Sequence, residues 1–173
     1  MIYDLMGKGV RDGGAIYSLG TNGANPQDKN LVSGNYIRNQ MDDSAVLYAD
    51  QSSAYWRYEN NVIDLKESAP WHGSKRWAQA WTNLIHDLDF VNNYTTEAYY
   101  VNIGINNTFE GTKVVPDANW PAEARAIIAQ SGIEPAYQEL QEGIVSRWST
   151  EDLSLNVGGM STLNVLAHNG KDQ

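Results

Sequence analysis

Short apolar runs separated by polar corners recur along this chain, and the copies can be laid over one another. With Asp12-Gly13-Gly14-Ala15-Ile16-Tyr17-Ser18-Leu19-Gly20 set above Asp43-Ser44-Ala45-Val46-Leu47-Tyr48-Ala49-Asp50, Ala15 falls on Val46, Ile16 on Leu47 and Tyr17 on Tyr48. The residues before them also answer one another, Ile2-Tyr3-Asp4-Leu5-Met6 against Ile37-Arg38-Asn39-Gln40-Met41. A third copy begins at Val62-Ile63-Asp64-Leu65-Lys66, and a weaker fourth at Leu84-Ile85-His86-Asp87-Leu88. The copies lie about 20 to 35 residues apart, the period of stacked solenoids, in which one repeat has too little apolar surface to bury a face by itself.

The runs are rich in Val, Ile and Tyr, side chains that fit a pleated surface. Corners rather than helices separate them, which argues against a βαβ sheet. Asn recurs at the corners, at Asn35, Asn39, Asn60, Asn61, Asn92, Asn93, Asn106 and Asn107. Asn tolerates left-handed backbone and hydrogen-bonds nearby peptide groups, and Asn side chains stacked in register build polar ladders. The pattern predicts an all-β chain folded as a right-handed parallel β-helix; an antiparallel sandwich is the competing architecture.

Two polar stretches interrupt the repeats, residues 21–30 and residues 66–76, and loops on a repeat scaffold often wall a binding groove. After Val115 the texture changes. Residues 120–132 read as a short helix, with Pro121 in its first turn, Glu123 early and Gly132 as the stop. In a terminal position such a helix caps or flanks the coils and shields strand edges that otherwise invite aggregation. Residues 153–165 alternate apolar and polar around Gly158-Gly159, a hairpin signal. The expected organisation is therefore residues 1–140 as the last coils and cap of a parallel β-helix, and residues 141–173 as a linker and the first strands of a further module. The chain reads as starting inside a repeat, so further N-terminal coils of the same β-helix are an expected partner.

Composition narrows the functional classes. The 173 residues carry a net charge of −9, with no basic face of the kind that nucleic-acid binders need. No apolar run approaches a membrane span, and cysteine is absent, so thiol and disulfide chemistry are excluded. Six Trp and ten Tyr stand against two Phe. Trp and Tyr combine a flat apolar face with a polar edge, which suits sugar rings as well as half-exposed packing.

The Asp12–Gly20 motif, followed by Leu47-Tyr48-Ala49-Asp50-Gln51-Ser52-Ser53, resembles the bacterial β-helix glycoside hydrolases of the α-fucosidase/xylanase type, on the pectate-lyase-like fold. The segment Trp120-Pro121-Ala122-Glu123-Ala124, with Ile127-Ile128 and Gly132-Ile133-Glu134-Pro135, is also similar to the close of their helices, and the last stretch resembles the opening of a bacterial Ig-like module. The likeness covers residues 1 to about 140; where these enzymes carry Gly after the second motif's Asp, this chain has Gln51. It implies a secreted or cell-surface protein that cleaves a glycosidic bond in a polysaccharide or oligosaccharide, with no cofactor.

Glycoside hydrolysis commonly uses two carboxyl groups flanking the bond, about 5 Å apart for retention and roughly 6.5–9.5 Å for inversion. Adjacent strands lie about 4.8 Å apart, so Asp12 and Asp43, which the overlay stacks, fall near the shorter distance. Asp50, at the far end of its strand on the next coil, lies further from Asp12 unless the groove curves. Asp12 and Asp50 are the expected catalytic pair, with Asp43 as the competing candidate; the structural alternative is that Asp12 and Asp43 only cap corners. Trp56, Trp71, His72 and Tyr48 are the candidate substrate contacts, although Trp71-His72 also fits a packed insertion. No HExxH or other metal-ligand spacing occurs, while the density of Asp and Asn admits Ca²⁺ through oxygen ligands. Two other functions share the scaffold. One is a lyase on uronic polymers, which calls for basic residues and a bound cation; the other is a non-catalytic binding or adhesin segment.

Overall fold

The computed structural model describes residues 1–3, 12–21, 23–40, 45–68 and 75–132, together with the backbone of 153–155 and 163–165. The chain divides into two compact units, Met1–Gly132 and Ile133–Gln173.

The first unit is a parallel β-solenoid with three sheets. One sheet stacks β1 (Ile2–Tyr3), β4 (Tyr36–Arg38), β7 (Val62–Asp64), β10 (Tyr94–Thr95) and β13 (Lys113–Val114). A second stacks β2 (Ile16–Ser18), β5 (Leu47–Ala49), β8 (Ala78–Ala80) and β11 (Tyr100–Asn102). The third stacks β3 (Asn30–Ser33), β6 (Trp56–Glu59), β9 (Asp89–Val91) and β12 (Thr108–Glu110). Every pairing among these strands is parallel, and the chain visits the three sheets in turn. The sandwich is thereby excluded for this unit.

The overlay of apolar positions is the actual register. Ile16 lies beside Leu47 and Tyr17 beside Tyr48, while Ile2 pairs with Ile37 and Ile37 with Ile63. The fourth copy is elsewhere than expected: Tyr94 and Thr95, not residues 84–88, stack on Val62 and Ile63. Residues 84–88 instead form a corner, where Ile85 and Leu88 are buried and His86 bridges Ala54 and Ile105.

The core is filled by the inward residue of each rung. Tyr58, Phe90 and Phe109 stack face to face up the third sheet, with ring centres 4.8 and 4.4 Å apart, and Trp77 meets Phe90 edge-on at 6.0 Å. Such pairs contribute about 0.5–1.5 kcal/mol beyond simple burial. Outside, Asp89 ties its rung to the two before it by accepting from Lys29 at 2.8 Å and Arg57 at 3.3 Å.

The corner from the third sheet to the first turns through left-handed residues at each level: Gly34, Asn60, Asn92 and Gly111, with φ of 68°, 52°, 52° and 64°. At the last rung glycine spares a clash, since a Cβ on Gly111 would lie 2.2 Å from Asn92 Oδ1 and force that side chain to shift. In the first three of these coils the next residue, Asn35, Asn61 or Asn93, builds the expected amide ladder; the fourth has Thr112 there. Asn35 Nδ2 donates to Asn61 Oδ1 at 2.9 Å, and Asn61 Nδ2 donates to Asn93 Oδ1 at 3.0 Å. The amides also hold the coil ends, Asn61 Nδ2 donating to the Val32 carbonyl and Asn93 Nδ2 to that of Tyr58.

Helix α1 (Ala122–Gln130) follows the last coil, with Pro121 at its N-cap. Ala124 and Trp120 are buried with Val62 and Tyr94, and Ile127 and Ile128 pack against them. Val62 and Tyr94 are the outward residues of the first sheet, so the helix flanks that sheet's face. In the second unit, β14 (Leu153–Leu155) and β15 (Leu163–Val165) pair antiparallel with Leu153 opposite Val165, the hairpin read from the alternation.

Candidate functional site on the second sheet

In β2 and β5 the side chains alternate, sending Ile16, Ser18, Leu47 and Ala49 inward and Tyr17 and Tyr48 outward. The two tyrosine rings meet edge to face, 5.2 Å between centres at 75°. Each phenol then donates to a carboxylate carried by the other coil. Tyr48 Oη donates to Asp12 Oδ1 at 2.8 Å, and Tyr17 Oη donates to Asp50 Oδ2. Asp12 precedes β2 in left-handed backbone, φ 69°, a conformation Asp adopts more readily than most residues. Asp50 follows β5 directly, and its Oδ1 accepts from the Trp81 indole at 2.8 Å and from the Gln51 N–H at 2.7 Å.

The result is a cluster of two carboxylates and two phenols, each pair crossing the rung between coils. The Tyr17 phenol is pushed up to about 12, first because its hydroxyl donates to Asp50, then by burial and by the charges of Asp50 and Asp12. The Tyr48 phenol is raised as well, chiefly by burial, then by its bond to Asp12 and the charges of Asp50 and Asp12. Both therefore stay protonated near neutrality and act as fixed donors. Each phenol senses both carboxylates, which makes the four groups one electrostatic unit.

The two carboxylates differ. Asp50 is 8% exposed, and three of the roughly four lone-pair positions a carboxylate offers are already occupied. Asp12 is exposed and accepts from Tyr48. Tyr17 and Trp81 are 43% and 38% exposed, so aromatic surface flanks the carboxylates on the solvent side. The outward row continues from Tyr48 to Gln79, whose Oε1 accepts from Arg76 Nη1 at 2.8 Å, and the Arg76 guanidinium lies 6.0 Å from the centre of the Tyr99 ring.

Of the residues singled out in the sequence, the structure brings Asp12, Tyr48 and Asp50 together. Trp56 is placed apart, on β6 of the third sheet, where its ring stacks on Tyr58 at 6.2 Å and packs against the core. Asp43, Trp71 and His72 lie outside the described residues. Tyr17 and Trp81 were not among the candidates. A signal for Trp81 existed: it follows Asp50 by 31 residues and stands one position past β8, as Asp50 stands one past β5.

Among the described residues no three His, Asp or Glu side chains gather in a group that could hold a metal ion. Among them, too, no helix is long and apolar enough to cross a membrane. No protein-family model, no curated protein and no solved structure matches the chain.

Proposed function

We propose that this chain is part of a secreted polysaccharide-degrading glycoside hydrolase on a right-handed parallel β-helix, with an Ig-like module beginning in residues 141–173. Its saccharide site is the outward face of the second sheet, around Asp12, Tyr17, Tyr48, Asp50 and Trp81. The observation that carries the reading is the crossed Asp–Tyr pairing: two unequal carboxylates on neighbouring coils beside exposed aromatic surface.

The inequality of the carboxylates divides their roles. Asp50, its oxygens oriented by three donors, suits the group that faces the positive charge developing on the sugar. Asp12, open to solvent, suits the group that protonates the leaving oxygen and then draws a proton from water. Tyr17 and Trp81 offer the apolar face that a pyranose ring covers. A second reading, saccharide binding without turnover, is favoured by the same saturation of Asp50, which leaves that carboxylate little capacity for a reacting group.

Asp12→Asn and Asp50→Asn in the full-length protein test the proposal. Hydrolysis of neutral polysaccharide should fall by at least about 10²-fold in each, the usual scale for such groups. Asp50→Asn needs a parallel measurement of stability, because an amide nitrogen cannot accept from Tyr17 or Trp81, whereas Asp12→Asn should fold normally. Wild-type protein that binds glycan without cleaving it supports the second reading. Turnover surviving both substitutions moves the catalytic role to Asp43, and cleavage of uronic polymers with an unsaturated product reassigns the protein to the lyases.

A further inference from the structure

A cleft of about 620 Å³ lies between α1 and the left-handed corner. Its volume falls within the usual span of small-ligand pockets, ~300–1,000 Å³. One wall is the column of corner residues Gly34, Asn60, Asn92 and Gly111, one per coil. The facing wall is a single stripe of the helix, Glu123, Ala126, Ile127 and Gln130, at the spacing that places residues on one face. Tyr94 also lines the cleft, only 7% exposed, with the Lys113 ammonium 5.3 Å from its ring centre. Ser131 Oγ lies within donating distance of the Gly34 carbonyl at 3.0 Å and of the Ile127 carbonyl at 2.8 Å, so the helix end sits against the first rung of the column.

We propose that this cleft binds a linear, neutral oligosaccharide along the solenoid axis. The lining supplies amides that both donate and accept, one carboxylate and one ammonium whose charges cancel, and one aromatic ring. That set matches a ligand of many hydroxyls and no net charge. Asn60 and Asn92 share the same backbone conformation, φ 52° each, so the same amide is offered on successive rungs about 4.8 Å apart. A polymer with one ring per rung fits that repeat. The site is independent of hydrolysis at Asp12 and Asp50, which sit on another sheet.

The test is titration of isotope-labelled full chain with neutral linear hexasaccharides, cellohexaose, xylohexaose and laminarihexaose, followed by NMR of side-chain amides. At least one sugar should produce saturable shifts at Asn60, Asn92 and Gln130. Ala126→Phe, at an exposed helix position on the cleft wall, should weaken that binding by about tenfold or more with helicity unchanged by circular dichroism, and Asp12→Asn should leave it intact. The proposal is overturned if no hexasaccharide moves these amides, if Ala126→Phe leaves the affinity unchanged, or if a neutral extended peptide moves them and the sugars do not.

Discussion

Replacing Asn61 by alanine should destabilise the first unit by about 2–4 kcal/mol, most of it from hydrogen bonds lost in a buried site. The side chain is fully buried. Its Oδ1 accepts from the Asn35 N–H at 3.1 Å and from Asn35 Nδ2 at 2.9 Å, and its Nδ2 donates to the Val32 carbonyl at 3.1 Å and to Asn93 Oδ1 at 3.0 Å. Not all of these losses are equal. Asn93 Oδ1 keeps the Asn61 backbone N–H at 3.0 Å, and Asn35 is half-exposed, so water replaces part of what it loses. What remains is the lost donor to the Val32 carbonyl and the emptied space above Asn93, at roughly 1–3 kcal/mol for hydrogen bonds lost in a buried site. Asn35→Ala is the matched control: Asn61 Oδ1 retains the residue-35 N–H, and the expected cost is at most about 1 kcal/mol. Urea unfolding of the two variants beside wild type, at unchanged m-value, reads the difference directly. Equal costs for the two substitutions, or a cost below about 0.5 kcal/mol for Asn61→Ala, would refute the view that the ladder holds the corners.

Two further outcomes follow from the same packing and electrostatics. Phe90→Ala removes a fully buried ring stacked on both faces and should cost about 3–5 kcal/mol in urea unfolding; a loss under about 1 kcal/mol would mean the aromatic stack closes over the gap. Alkaline pH should weaken the fold through Tyr17 and Tyr58, both raised from 10.0 to about 12, the first chiefly by its bond to Asp50 and the second chiefly by burial. Because the folded state favours their neutral forms, their contribution is complete below pH 10 and is lost as pH rises through 12; a tyrosinate absorbance titration in which Tyr17→Phe and Tyr58→Phe remove no late-titrating component contradicts it.

How far the sequence carried the fold can be seen rung by rung. Tyr17 over Tyr48, and Ile37 over Ile63, were legible because strand positions that face the same way must share chemistry when they stack. The fourth rung was misplaced because coil length varies: Asn35 and Asn61 are 26 residues apart, Asn61 and Asn93 are 32 apart. Ile85 and Leu88 carry the stronger apolar signal and are indeed buried, but they line a corner, whereas Tyr94 and Thr95 make the strand. The position of α1 was legible from Pro121 and Gly132, since both punctuate a helix whatever it packs on. The site was legible only in part. Asp12, Asp50 and Tyr48 stood out by motif, yet the donors that define Asp50 come from the coil before, Tyr17, and the coil after, Trp81. Nothing in the sequence marks Asp50 as a buried group, because its burial and two of its three donors arise from stacking. Trp56 joins the third sheet because one corner separates it from Asp50, and the turn of that corner depends on Tyr55 taking left-handed backbone, φ 64°, which a bulky aromatic residue rarely does.

The most direct test of the central claim is the indole N–H resonance of Trp81 as neutral oligosaccharides are added to the full chain. That proton is donated to Asp50, while the ring is 38% exposed, so it reports on the carboxylate and on the aromatic surface at once. Saccharide at this site should shift the Trp81 signal saturably, in step with the appearance of cleaved product, and Asp12→Asn should preserve the shift while abolishing the product. A Trp81 signal that stays still while the protein binds or cleaves the same sugar would contradict the assignment of the site to the second sheet.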